Sequence, residues 1–403
     1  MKTLNFKMVA ILATLLAFGF TACGKKDKKD DAKPADMSAD MGGDMGTEKP
    51  KPVEPEKPKV TIDEEFLKSL KAIVADCEFS DGSTYIGKCK GKLNEELVTK
   101  VKERKEKKFE DTLDTLAAAI ADADRKLQIV TADFISAFGY SITDEGENAA
   151  KFNKEAATRF LAAVSEVKDE GLLNRMAITL THVAMLNELD TGLFGLADAK
   201  GKYTQKYIIA NAMRFGRMRV FPKIQEYAKN EDKSIVENAL GSALNMYKAT
   251  PDELKIICPW AETFLTSDND NVFRQAGYLM IRCKGEFIDK LMTEGEKRLK
   301  EDKFNREYYF VFREVCFSFM KGAVDEAGLQ AQCDRNFKFL EEVAKNKKID
   351  GEFRALALDA IYYQRRDAQT LKVLKKYAND KDPKIKEMVK KDIESLKTHY
   401  KVK

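Results

Sequence analysis

The sequence predicts an all-α fold in which antiparallel helix pairs stack into an α-solenoid. Five of the nine prolines lie before residue 60, so the rest of the 403-residue chain contains only four. That part is rich in Ala, Leu, Lys and Glu, which favour helix. One helical pattern also recurs along the chain, at multiples of roughly 37 residues. Few helix breakers, high helix propensity and an internal repeat together indicate a helical array.

The recurring pattern is clearest after Asp350, which is predicted to cap a helix. Apolar or small residues follow at the third, seventh and eleventh positions, as Phe353, Ala357 and Ile361. Steps of four place these side chains on one face of a helix, so we assign them to the core. Six positions begin this pattern: Asp124, Asp169, Asp232, Asp270, Asp350 and Asp382.

Two of the separations between these aspartates along the sequence are long enough for one more copy each, in stretches 203–215 and 304–319. Apolar stripes between the anchored helices predict a partner helix for each of them. A single pair cannot bury both of its faces, so stacking of neighbouring pairs has to supply the core. We therefore expect roughly eight helix pairs within residues 109–403. Examples of the partner stripes are 224–228, 254–265, 287–299 and 371–377.

Two copies of the pattern resemble the second helix of HEAT repeats. Asp270, Phe273, Arg274, Gly277 and Ile281 follow that motif, and the copy after Asp350 repeats it with Arg354. The resemblance implies that the Asp and Arg link neighbouring units, with Lys386 at the Arg position of the last copy. Tetratricopeptide repeats have a similar period and are the alternative. Their aromatic signature is absent, and Trp260 is the only tryptophan.

The N-terminus has the pattern of an export signal. Lys2 and Lys7 precede an apolar run from Met8 to Phe20, too short for a comfortable membrane span. The following residues, up to Cys23, resemble the lipobox of bacterial lipoproteins. The resemblance implies removal of residues 1–22, lipidation of Cys23 (palmitate included) and an outer-membrane location facing the periplasm or the cell surface. The alternative is an ordinary secretory signal.

Residues 23–59 are predicted to form a lipidated cysteine followed by a disordered tether. Stretch 24–59 contains nine lysines and nine acidic residues and has no apolar periodicity, so nothing offsets the entropy cost of ordering it. Residues 60–108 are predicted to form an N-terminal helical segment with a small loop closed by two cysteines. Its first helix spans 63–75, and the charged stretch 101–108 indicates a solvated helix face.

Six cysteines remain beyond Cys23, an even number that favours disulfides in an exported protein. Six cysteines allow fifteen pairings, and local helical geometry narrows the choice. Free thiols or a metal site are the alternatives. The expected bridges are Cys77–Cys89, Cys258–Cys283 and Cys316–Cys333.

Composition and motifs argue against several classes of activity. The 70 basic and 66 acidic residues nearly balance, which gives little attraction for nucleic acid. Only two histidines occur, and His182 lies inside a predicted helix, where packing is the expected role. We expect no metal and no cofactor. Arg214, Arg217 and Arg219 either interact with carbonyls at a helix end or form an anionic-ligand site.

The function predicted from these observations is a membrane-anchored periplasmic scaffold or adaptor that is not an enzyme. Its partner is expected to be a protein or peptide bound on the outward face of the anchored helices. Tyrosine suits such contacts, since it offers rigid area and a hydroxyl group at low entropy cost. The alternative is a small-ligand-binding or lyase-like enzyme built on HEAT-like repeats. The candidate contact residues are Gln275, Tyr278, Asp359 and Tyr362.

Overall fold

The described part of the chain is almost entirely α-helical. The computed structural model describes residues 60–75, 77–78, 88–89, 99, 109–142, 154–246, 248–316 and 329–402. All of them belong to one compact unit, Pro58–Lys403. The predicted signal sequence, Cys23, the tether and stretch 101–108 lie outside the described residues. Two-residue strands β1 (Cys77–Glu78) and β2 (Lys88–Cys89) pair antiparallel.

In the described residues, helix α1 (Glu64–Ala75) precedes eight helix pairs, as the repeat pattern predicts. Within each pair the first helix has an even number and the second an odd number. The pairs are α2 (Phe109–Ile120) and α3 (Arg125–Ile142), α4 (Lys154–Ser165) and α5 (Glu170–Leu186), α6 (Asp190–Ala199) and α7 (Lys202–Gly216), α8 (Phe221–Tyr227) and α9 (Lys233–Leu244), α10 (Pro251–Glu262) and α11 (Asp270–Cys283), α12 (Glu286–Lys300) and α13 (Arg306–Glu314), α14 (Leu329–Lys345) and α15 (Gly351–Gln364), and α16 (Ala368–Lys375) and α17 (Pro383–Thr398).

The odd-numbered helices from α3 to α17 form a continuous layer. Each odd helix packs against the odd helix of the next pair, and each even helix packs against the odd helix of its own pair. Helix α1 packs on α2 and α3 and caps the first pair. The described residues therefore form a helical solenoid in which every pair rests on its neighbours. None of the described helices is long and apolar enough to cross a membrane.

Most of the predicted anchors cap their helices. Asp169, Asp232, Asp350 and Asp382 are N-caps whose side chains accept a hydrogen bond from a first-turn amide. The exception is α11, where Asn269 is the N-cap and Asp270 is the first helical residue. The motif around Asp270 is thus one position out of step with the others.

The predicted core positions are buried in nearly every copy. Gly277 shows why the seventh position is small, since a Cβ atom there would lie 2.6 Å from Cγ1 of Val311 on α13. Two predicted core residues, Phe353 and Ile393, are only half-buried and pack at the edge of the core. Assigning them a full core role was wrong.

Arginines connect neighbouring pairs. Arg274 pairs with Glu237 of α9 and with Glu307 of α13, so it spans three consecutive odd helices. Arg354 donates to the carbonyl of Ala344 at 2.9 Å and lies 3.5 Å from Asp380 of the last pair. Both arginines contact neighbouring units, as their positions in the motif predict. Lys386, at the same position of the last copy, is exposed.

A buried arginine holds the middle of the array together. Arg298 of α12 is 4 % exposed, and its guanidinium lies 4.4 Å from the ring centroid of Phe273. It donates to the Leu265 carbonyl at 2.9 Å and to the Tyr308 hydroxyl at 2.6 Å. A buried charge is tolerated only with such partners, so Arg298 couples the fifth and sixth pairs.

Two of the three expected disulfides, Cys258–Cys283 and Cys316–Cys333, are observed directly. Cys258 of α10 bonds Cys283 at the end of α11, within one pair. The bridge from Cys316 to Cys333 joins the end of α13 to α14, across two pairs. In the third case, Cys77 is disulfide-bonded and lies opposite Cys89 in the β1–β2 ladder, which agrees with the predicted pairing.

Candidate functional site

The four predicted contact residues all lie on odd-numbered helices, but they do not form an open face. Tyr362 is only 8 % exposed, and its hydroxyl lies 2.8 Å from Ser395 Oγ on α17. Asp359 accepts a hydrogen bond from the Tyr309 hydroxyl of α13 at 3.0 Å. Both residues fasten neighbouring odd helices together. The expectation that they point outward, free of packing, was therefore wrong.

Tyr278 and Gln275, both on α11, are half-buried. Tyr278 packs against the core, and burial raises the pKa of its hydroxyl, with the negative charge of Glu314 adding to the effect. The cause of the burial is the layered architecture. An odd helix contacts its even partner and the odd helices on both sides, so only a narrow strip of its surface stays open.

The open strip near the C-terminal end presents a different set of side chains. Tyr363 is 36 % exposed and Tyr400 is 41 % exposed, and Arg366 between them is exposed as well. Together with Tyr362 and Arg313 they form a group that we call the Tyr–Arg cluster. Tyr362 and Tyr363 lie on α15, and Arg366 lies just beyond its end. Arg313 belongs to α13, and Tyr400 lies two residues beyond the end of α17.

Cation–π contacts organise the Tyr–Arg cluster. The Arg366 guanidinium lies 4.5 Å from the ring centroid of Tyr400 and 5.8 Å and 5.9 Å from those of Tyr362 and Tyr363. Arg313 lies 5.3 Å from the ring centroid of Tyr363. These contacts hold the rings and the guanidinium in place and limit the conformational entropy lost on binding.

The guanidinium of Arg366 has hydrogen-bond donors that no carboxylate of the described residues engages in an ion pair. No ion pair joins it to a carboxylate among the residues that the structure describes, in contrast to Arg365 beside it, which pairs with Asp334 at 2.7 Å. Its guanidinium donors are thus available to a carboxylate, a carbonyl or another acceptor. Exposed tyrosines around an arginine have the composition of protein-binding hot spots.

The sequence contained a signal for this cluster that the repeat pattern did not use. Tyr362 and Tyr363 are followed closely by Arg365 and Arg366, at the end of α15. Two adjacent tyrosines on a helix point in different directions, so one of them packs inward and the other remains open. The contribution of Tyr400 follows only from the docking of α17 on α15.

The arginines near the end of α7 do not converge on one site. Arg217 pairs with Glu253, and Arg219 binds Asp190 at 2.7 Å. Arg219 also donates to the Met185 carbonyl, at the C-terminal end of α5. The interpretation as helix-end contacts fits these positions better than an anionic-ligand site.

His182 is a packing residue, as expected. Its side chain is 4 % exposed and stacks on the Phe215 ring with the centroids 4.5 Å apart. Burial, with the nearby charge of Arg214, lowers its pKa to about 4. Within the described ranges no three His, Cys, Asp or Glu side chains form a group suited to a metal ion.

Comparison with known proteins yields little. The chain matches no family model and no curated protein. Two solved structures of engineered proteins are similar to it, each at 14 % identity. One has a TM-score of 0.34, with 83 % of this chain and 95 % of that chain covered. The other has a TM-score of 0.21, with 71 % and 98 % covered. At these scores neither match carries an argument.

Proposed function

We propose that this protein is a lipid-anchored adaptor outside the cytoplasm, whose HEAT-like helical array binds a protein or peptide partner. The observation that supports binding most strongly is the Tyr–Arg cluster. It joins rigid aromatic area to a guanidinium that no described carboxylate neutralises. A partner segment with an acidic residue or a C-terminal carboxylate beside apolar side chains matches this chemistry.

The extracytoplasmic location is supported by the disulfides. Cys258–Cys283 and Cys316–Cys333 join separate helices of the array, and such bonds persist in oxidising compartments. The sequence around Cys23 resembles a lipobox, which supports an anchor at the outer membrane on the periplasmic side. The polar stretch 24–59 would then serve as a tether that lets the array reach a partner.

Replacing the proposed lipidation site tests the anchor. With Cys23→Ser we expect no incorporation of labelled fatty acid, and we expect the protein to leave the membrane fraction as an unprocessed or released form. Wild-type protein labelled in parallel is the control. Fatty acid still attached to the Cys23→Ser variant would rule out the anchor.

The binding surface is tested by photo-crosslinking in intact cells. A photoreactive residue placed at Tyr363 is expected to form an adduct with one partner, since this position lies in the Tyr–Arg cluster. Tyr207 on α7 is the matched control, because it is a tyrosine of an odd-numbered helix and is 46 % exposed. Adducts at position 207 with none at position 363 would place the partner elsewhere.

A further inference from the structure

Two aspartates, Asp359 and Asp392, lie on the two helices that form the α15–α17 interface. Helices α15 and α17 are successive odd helices of the array and run in the same direction. The 2.8 Å contact of the Tyr362 hydroxyl with Ser395 Oγ fixes their register. Asp359 and Asp392 each lie three residues earlier, about one turn along their own helices. The same register therefore brings the two carboxyl groups near each other, and the negative charge of Asp359 acts on Asp392.

The surroundings of Asp392 do not suit a free negative charge. The residue is 5 % exposed, and its Oδ2 atom has no hydrogen-bond partner among the described residues. Asp359 is half-buried and accepts one hydrogen bond, from Tyr309 of α13. A buried carboxyl near a second, half-buried one cannot ionise beside it without a large energetic cost, whereas one proton between them removes most of that cost.

The charged groups around the pair favour a proton on Asp392. Burial raises the pKa of Asp359, although the hydrogen bond from Tyr309 and the charge of Arg313 on α13 offset part of this effect. Lys391 of α17 acts on both carboxyls, but it is exposed, so solvent screens its charge. Burial, followed by the negative charge of Asp359, raises the pKa of Asp392 to about 7.

We propose that Asp359 and Asp392 hold one proton between them across the α15–α17 interface, and that loss of this proton loosens the docking of α17. Among the described residues, helix α17 contacts only α15 and α16 extensively. It can therefore open without unfolding the earlier pairs, since each unit of a solenoid contacts only its neighbours. The inference does not depend on what the array binds.

The direction of the pH effect follows from linkage. When α17 is open, Asp392 is solvated and ionises near its ordinary pKa of 3.8, and when α17 is docked it ionises near pH 7. The docked state thus binds more protons between these values. The opening equilibrium constant should rise up to roughly tenfold per pH unit from about pH 4 to pH 7, and it should level off above pH 7.

Hydrogen exchange resolved along the chain tests this effect. After correction for intrinsic exchange rates, opening of α17 in the wild type should rise at least roughly tenfold between pH 5 and pH 7. Asp392→Asn keeps the shape of the side chain and cannot ionise, so most of this pH dependence should disappear. Glu387→Gln is the matched control, since it removes an exposed carboxyl from the same helix and should keep the wild-type pH dependence.

A second measurement follows the titration of the carboxyl groups directly. Carboxyl carbon shifts in wild-type protein labelled at aspartate should show one buried group that titrates near pH 7. Asp359→Asn should lower that titration point, since it removes the neighbouring negative charge. The proposal is overturned if Asp392→Asn and the wild type open with the same pH dependence. It is also overturned if every aspartate titrates below about pH 5, close to the ordinary range.

Discussion

At the scale of single residues, His182 shows how a buried ionisable side chain limits stability. It lies within α5, stacked on Phe215, and its Nδ1 atom has no hydrogen-bond partner among the described residues. Protonation would leave a buried charge without a counter-ion, and Arg214 nearby makes this worse. The residue therefore stays neutral in the folded protein well below the pH at which a free histidine takes up a proton.

This arrangement predicts a loss of stability in acid that His182→Phe should remove. Unfolded chain binds a proton below pH 6.5, whereas folded protein does so only near pH 4. The contribution of His182 to the free energy of unfolding is thus complete above pH 6.5 and falls by about 3 kcal/mol on the way to pH 4. Urea unfolding at pH 7 and pH 4.5 measures the difference between the variant and the wild type. Equal losses in both proteins would contradict the assignment.

At the scale of helices, the local repeat pattern predicted the caps and the inward-facing positions. Asp232 and Asp382 cap their helices, and the residues three positions later, Ile235 and Ile385, are buried. These features depend on residues three to eleven positions apart, which the sequence shows directly. The pattern was wrong for Tyr362 because burial of that residue depends on Ser395, 33 positions away. Register between pairs is not encoded in the local period.

Two phenylalanines at the same repeat position test whether burial or repeat position sets the contribution of a residue to stability. Phe273 is fully buried and packs edge to face on Tyr308, with the ring centroids 4.7 Å apart. Phe353 is half-buried. Phe273→Ala should lower the free energy of unfolding by about 3–5 kcal/mol, and Phe353→Ala by only about 1–2 kcal/mol. Chemical denaturation of both variants measures this. Equal losses would show that repeat position, rather than burial, sets the contribution.

At the scale of the whole molecule, solenoid architecture determines which side chains stay exposed. Every odd helix is covered by its neighbours, so the open strip consists of a few partly or fully exposed side chains, such as Tyr363 and Arg366. The fold class followed from proline distribution and internal repetition, since both are properties of the sequence as a whole. The Tyr–Arg cluster did not, because Tyr400 reaches Arg366 only when the last two pairs are docked.

The most direct test of the account is capture of the partner by purified full-length variants. Tyr363→Ala combined with Tyr400→Ala removes the two exposed rings of the cluster, and Tyr207→Ala removes an exposed ring of α7. With the partner found by crosslinking at position 363, the double variant should bind at least roughly tenfold more weakly, while Tyr207→Ala should bind as the wild type does. All three proteins should melt within a few degrees of one another, since exposed rings contribute little to stability. Unchanged binding by a fully folded double variant would contradict the claim that the Tyr–Arg cluster is the binding surface.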